Sequence, residues 1–146
     1  MYIALRVLIL IAFFLLLIFV FLKRLSRSRT DEVLKRFSGK EIILLEKAAN
    51  FFGQESLGYA QIRGNGTLLL TGDEIFFQMW LPKKELQIPL SSILSVEVTR
   101  SHLGKTKGVR LLKVTFKNPQ QERDSVAWIV RDVDRWVNFV KERINH

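Results

Sequence analysis

Gly64-Asn65-Gly66-Thr67-Leu68-Leu69-Leu70-Thr71-Gly72-Asp73-Glu74-Ile75-Phe76-Phe77-Gln78-Met79-Trp80 is the stretch on which the fold turns. The glycine-flanked asparagine breaks whatever precedes it. Thr67 to Thr71 reads as a strand, Gly72-Asp73 as a tight turn, and Glu74 to Trp80 as a second strand rich in aromatics. Eight apolar residues in two short runs, closed by turn residues, predict a β-hairpin with its core side filled.

The pattern continues toward the C-terminus. Leu81-Pro82-Lys83-Lys84 turns the chain, and Glu85 to Pro89 is a short strand that Pro89 closes. Ile93 to Arg100 alternates, with Leu94, Val96 and Val98 on one face. Val109 to Lys117 alternates too, with Leu112, Val114 and Phe116 facing one way. Asn118 to Arg123 is a polar turn, and Ser125 to Val130 is a strand centred on Trp128. The period then changes. Val133, Trp136, Val137, Val140 and Ile144 fall on one helical face, with Asp132 or Asp134 as N-terminal cap and Lys141 and Arg143 at the other end. Trp128, Trp136, Phe76, Phe77 and Phe116 are expected in the core. Upstream, Glu41 to Phe52 fits either a helix or a long strand.

The first 22 residues are of another kind. Val7 to Leu22 is sixteen consecutive apolar residues, and only Arg6 interrupts the run back to Met1. About 20 apolar residues cross a ~30 Å hydrocarbon core as a helix. A cleaved signal peptide would carry its basic residues before the run and a small-residue cleavage pattern after it; here Leu22-Lys23-Arg24-Leu25 follows. A buried helix apolar on every side would need a larger protein around it. Residues 1–22 are therefore expected to be a transmembrane helix. Lys23, Arg24, Arg27 and Arg29 flank it, and this bias puts the N-terminus outside and the rest on the cytoplasmic side of the plasma or inner membrane. Residues 23–40 read as a basic, polar linker. Within it, Thr30-Asp31-Glu32 starts a short helix through Phe37 that Ser38-Gly39 ends. Extended, such a linker reaches on the order of 60 Å.

Charge and composition narrow the function. The net charge is +9, from 23 basic and 14 acidic residues. Arg6 and the four flank charges account for five, so from Thr30 onward 18 basic residues face 14 acidic ones. A nucleic-acid binder places its excess on the folded domain, so none is expected as a partner. With no cysteine, thiolate nucleophiles and thiolate metal sites are excluded. His102 is the single internal histidine, Asp132 and Asp134 read as caps, and Glu122 and Asp124 flank a turn without a third ligand. No enzyme, metal or cofactor is expected.

Seven short strands closed by an apolar-faced helix bearing a tryptophan resemble the pleckstrin-homology (PH) superfold, nearest its GRAM-like and bacterial PH-like group. The residues that carry the resemblance are Gly64 to Thr71, Glu74-Ile75-Phe76-Phe77, Ile88-Pro89-Leu90-Ser91-Ser92-Ile93 and Trp136. It implies a mainly β domain over residues 41–146, with Glu41 to Phe52 as first strand and residues 53 to 65 as first loop. Lipid-reading members place several basic residues in that first loop. Between Ala48 and Gly66 this chain has Arg63 alone, with Glu55, so an inositol-phosphate cage is not expected.

Two candidate contact surfaces remain. The basic stretch with Arg100, His102, Lys105, Lys107 and Arg110 is either a solvated hairpin or a contact for anionic phospholipid or an acidic partner. Gly104-Lys105-Thr106 imitates a nucleotide loop, but Thr99 stands where that motif needs glycine. Trp80 with Lys83 and Lys84 is a candidate partner tip, the alternative being a tryptophan folded back on the core. In an up-and-down meander the turn after the fifth strand would face the bilayer, and the first, third and sixth turns the cytosol. The expectation is a single-pass membrane protein displaying a non-catalytic adaptor domain for a protein partner, with anionic-lipid sensing through residues 100–110 as the alternative. A third reading, in which the membrane helix pairs with others, lacks a small-residue stripe, since Ala4 and Ala12 are eight apart.

Overall fold

A computed structural model describes residues 1–145. The order is α1 (Tyr2–Arg36), β1 (Ile42–Gln54), β2 (Gly64–Thr71), β3 (Glu74–Met79), β4 (Lys84–Pro89), β5 (Ile93–His102), β6 (Lys105–Lys117), β7 (Arg123–Ile129) and α2 (Val133–Ile144). The strands form one antiparallel sheet in the order β4-β3-β2-β1-β7-β6-β5. It curls into a half-barrel, and α2 packs against β5 and β6. The fold is mainly β with one C-terminal helix, as the periodicities require.

The concave side holds the main core. Phe51, Leu68, Leu70, Ile75, Phe77, Leu112, Val114, Phe116, Val126 and Trp128 meet Val133, Trp136, Val137 and Val140 of α2 there. Asp132 caps α2, its carboxylate accepting from the Arg135 amide at 3.0 Å. Apolar runs such as Leu68-Leu69-Leu70 and Ile75-Phe76-Phe77 do not alternate with polar residues because both sides of β2 and β3 are covered. Leu69 and Phe76 point away from α2 into a second cluster with Val33 of α1 and Phe37 at its C-cap. The same reason settles the ambiguous stretch after Glu41 as strand, β1 running from Ile42 to Gln54. Leu44 is buried in the concave core, while Ile42 and Leu45 pack against the α1 cluster.

The stretch 23–40 departs from the expected linker. No break separates the apolar segment from a second helix: α1 is continuous through Arg36, and the turn ends only at Lys40. Nothing between Leu22 and Arg36 is proline or glycine, so the hydrogen-bond ladder runs on. Its last turns dock on the sheet. Thr30 and Thr67 share a hydrogen bond of 2.9 Å between hydroxyls, Val33 and Phe37 are buried, and the Phe37 ring lies 4.9 Å from that of Phe76. Arg36 pairs with Glu85 at 2.9 Å, and Lys40 with Asp73 and Glu74. Residues 1–22 make no such contacts and are exposed throughout. This segment is long and apolar enough to cross a membrane.

Two register irregularities matter. Between Ile93 and Ser95 the β5–β6 ladder slips, which turns Leu94 outward, 48 % exposed, while Ile93 and Val96 are buried. The expected inward face of Leu94, Val96 and Val98 is corrected accordingly. Between Glu46 and Ala49 the β1–β2 ladder slips again, which frees Lys47 and Ala48 from pairing.

Candidate functional site

The basic stretch 100–110 is a folded hairpin. β5 and β6 extend to His102 and Lys105, and the register slips between Thr99 and Ser101, so residues 107 to 110 loop out. The tip bends over the end of β1. A Cβ on Gly53, whose φ is +143°, would stand 2.8 Å from the Leu103 side chain, so only glycine admits this approach. His102 is buried and its Nε2 lies 3.1 Å from the Gly53 carbonyl oxygen. Burial pushes its imidazole below the ordinary value, while the Gly53 hydrogen bond works the other way. His102 is thus a structural residue rather than a surface contact.

The expected cation set divides. Arg110 makes a two-pronged pair with Asp134 at 2.7 and 2.6 Å. Arg100 donates to the Gly108 carbonyl oxygen at 3.3 Å. Lys105 and Lys107 make no ion pair among the described residues, and the Lys107 ammonium lies 5.9 Å from the Phe52 ring centroid. Their neighbour in space is Arg63, which is far from them in the chain. Arg63 donates through Nε to the Phe52 carbonyl oxygen at 2.6 Å, while its Nη2 is buried with no partner. These three cations and Phe52 line a shallow groove of about 400 Å³ that carries no carboxylate. The pairing brings residue 63 to residues 105 and 107, and no local pattern announces it.

Beside this groove the first loop is tied down by Asp124. Its carboxylate accepts from Gln54 Nε2 at 2.6 Å, the Ser56 amide at 3.0 Å, Ser56 Oγ at 2.6 Å and the Ser125 amide at 2.8 Å. Burial alone would raise the Asp124 carboxyl, but these donors outweigh it and hold the group below its ordinary value. The loop beyond is apolar and exposed at Leu57, Tyr59 and Ile62, by 43, 67 and 60 %.

The turn with Trp80, Lys83 and Lys84 is exposed at Leu81, Pro82 and Lys83 but is tied to α1 on one side. The Trp80 carbonyl oxygen accepts from Arg29 Nε at 3.2 Å, and its indole Nε1 lies 3.4 Å from Thr67 Oγ1. Lys83 pairs with Glu32, which Arg29 also holds, and Lys83 keeps the Glu32 carboxyl below its usual range. Lys84 is half-buried, with its ammonium 5.7 Å from the Phe51 ring. This turn therefore packs against α1 through Trp80 and Lys83. The third turn lies beside Arg29 and Glu32 of α1, and the Leu103–Gly104 turn bends over the end of β1 beside Gly53.

Of the flank charges, Arg29 is engaged as described, whereas Lys23, Arg24 and Arg27 pair with no carboxylate among the described residues. No group of three His, Asp or Glu side chains there is arranged to hold a metal ion.

No family model matches the chain, and no curated protein resembles it in sequence. Solved structures do resemble it in shape. The C-terminal domain of an unknown protein from Leishmania infantum superposes with a TM-score of 0.54 at 12 % identity, covering 82 % of this chain and 98 % of that one. The complex of PDZ-RhoGEF DH/PH domains with GTP-gamma-S activated RhoA gives a TM-score of 0.50 at 9 % identity. It covers 82 % of this chain, which spans about a third (35 %) of that one. At these identities the likeness concerns fold alone. A curled seven-stranded antiparallel sheet closed by a C-terminal helix, shared with these structures, is a PH-like fold.

Proposed function

We propose that this protein is a single-pass membrane protein whose PH-like domain is a non-catalytic binding module, an adaptor that engages a protein partner on the cytoplasmic face of the plasma or inner membrane. The observation that carries this reading is the continuity of α1. One helix is apolar and exposed over residues 1–22 and buried against the sheet at Thr30, Val33 and its C-cap residue Phe37. Arg29, the first residue to grip the domain, lies seven residues beyond Leu22, about 10 Å along the helix axis. The domain is thereby presented at a fixed distance from the bilayer rather than on a free tether. The basic flank supports the cytoplasmic orientation. The exposed Leu57, Tyr59 and Ile62 supply an apolar contact surface of the kind partners cover.

Two measurements test it. Alkaline carbonate should leave the full chain in the membrane, and protease added from the cytoplasmic side should cleave the β domain. A photo-crosslinker at Tyr59 or Ile62 should give a discrete adduct that an equivalent probe at Gln120 does not. Extraction by carbonate, or equal adducts at all three positions, refutes the reading.

A second reading, recognition of anionic headgroups, is favoured by the unpartnered Arg63 Nη2 beside Lys105 and Lys107. It predicts salt-sensitive binding of residues 28–146 to vesicles with 20 % anionic lipid, lost when Lys105 and Lys107 are both changed to Glu.

A further inference from the structure

A second open groove, of about 330 Å³, lies between α1 and the β1 irregularity. Its walls include Lys23, Arg27, Thr30, Asp31, Lys47 and Trp80. Lys23 and Arg27 are four apart, so they rise from one face of the helix. Lys47 meets them from the sheet, freed from the ladder by the slip between Glu46 and Ala49. Other cations of this region have acids for company: Arg29 has Glu32, Arg36 has Glu85, and Lys40 has Asp73 and Glu74. Lys23, Arg27 and Lys47 have no ion pair among the described residues, and Asp31 is the one carboxylate on the walls. Three converging cations against one acid leave an excess that an anion neutralises.

The position of the groove says which anion. A smaller groove of about 170 Å³ shares Lys23 and Arg27 and continues up α1 to Arg24 and Val20, inside the apolar segment. The surface thus passes from cationic to apolar along the helix axis, which is the order of a phospholipid from phosphate to acyl chain. Trp80 forms a fixed wall, with its carbonyl held by Arg29 and its indole by Thr67. Its amphipathic ring suits the bilayer interface.

We propose that this groove binds one anionic phospholipid of the leaflet from which α1 emerges, with the phosphate between Lys23, Arg27 and Lys47 and the acyl chains along Val20. The proposal rests on the membrane anchoring proposed above. The lipid would bridge α1 and β1 and so set the tilt of the domain on the bilayer. This site is separate from the Arg63–Lys105–Lys107 groove.

The test uses the full chain in detergent, with native mass spectrometry during titration by phosphatidylglycerol, phosphatidylcholine or soluble glycerol phosphate. One phosphatidylglycerol should be retained in preference to phosphatidylcholine, and glycerol phosphate should not displace it. Lys47→Ala and Arg27→Ala should each weaken retention about tenfold, the size of one lost charge-assisted contact. Asp31→Asn should strengthen it, and Lys117→Ala, at an exposed cation outside both grooves, should leave it unchanged. Lys47 is exposed and in no ladder, so its loss leaves the fold intact. Retention by Lys47→Ala equal to that of the wild type, or equal retention of the two lipids, overturns the proposal. Extraction of the wild-type chain from vesicles by carbonate overturns the anchoring itself. A chain that resists carbonate and ignores Lys47→Ala overturns the groove alone.

Discussion

Phe37 holds the apolar helix to the β domain, and its removal gives a graded test of that docking. The ring is 4 % exposed and stands 4.9 Å from the Phe76 ring, tilted by 48°. Lys40 and Arg36 cover the two rings at 5.9 and 4.9 Å. Phe→Ala in a core costs about 3–5 kcal/mol. The cluster here has four buried residues, Val33, Phe37, Leu69 and Phe76, so the lower end, about 3 kcal/mol, applies. That loss raises the opening constant of the α1 contact about a hundredfold. The chain has no cysteine, so a single introduced thiol reports alone. Val33→Cys places it at a site 1 % exposed. In the full chain in nanodiscs, its maleimide reaction should be strongly slowed relative to Ser28→Cys on the exposed face of the same helix. Adding Phe37→Ala should speed the Val33→Cys reaction by about two orders of magnitude and leave Ser28→Cys unchanged. Equal reactivity at 33 and 28 without the Phe37 change would refute the docking. Unchanged protection with it would refute the energetic role given to Phe37.

Other perturbations follow from single contacts. Gly66→Ala would drive a Cβ to 2.6 Å from the Phe77 ring and against the Gln78 carbonyl oxygen, so a loss of about 3 kcal/mol is expected in chemical unfolding. Asp124→Ala removes four hydrogen bonds and should cost about 3 kcal/mol by the same assay. The folded Asp124 carboxyl lies below its ordinary value of 3.8, so its stabilisation is present above that value and is lost as the pH falls through the folded value. His102 is also lowered, from 6.5, among Lys113, Glu55 and Arg63. Its contribution is complete above pH 6.5 and declines as acid forces a proton onto the buried ring. Melting temperature should therefore begin to fall below that pH, and His102→Gln should flatten this part of the profile.

Most of the β domain is legible in local sequence signals. The Gly64-Asn65-Gly66 breaker, the Gly72-Asp73 turn and the change of period at Val133 are local signals, and β2, β3 and α2 lie where they put them. Trp128 and Trp136 are buried as their spacing required. Apolar runs without alternation were harder to read. Residues 41 to 52 resolve as strand only because α1 covers the second face of the sheet, and a single strand cannot announce what lies behind it. For the same reason Phe76 was legible as buried, but not as the partner of Phe37.

Tertiary structure alone decided the sites. Arg100, His102 and Arg110 share a basic stretch with Lys105 and Lys107, yet Gly108, Gly53 and Asp134 engage the first three. Arg63 and Lys47 look like isolated surface charges in the chain and become members of cationic grooves by proximity. Trp80 and Lys83 read either as a partner tip or as a tryptophan folded back on the core, and the structure ties them to Arg29 and Glu32, 51 residues earlier. Periodicity records which face of an element avoids water. It carries no record of which distant side chain arrives on that face, because that is fixed by the curl of the sheet and by where a long helix comes to rest.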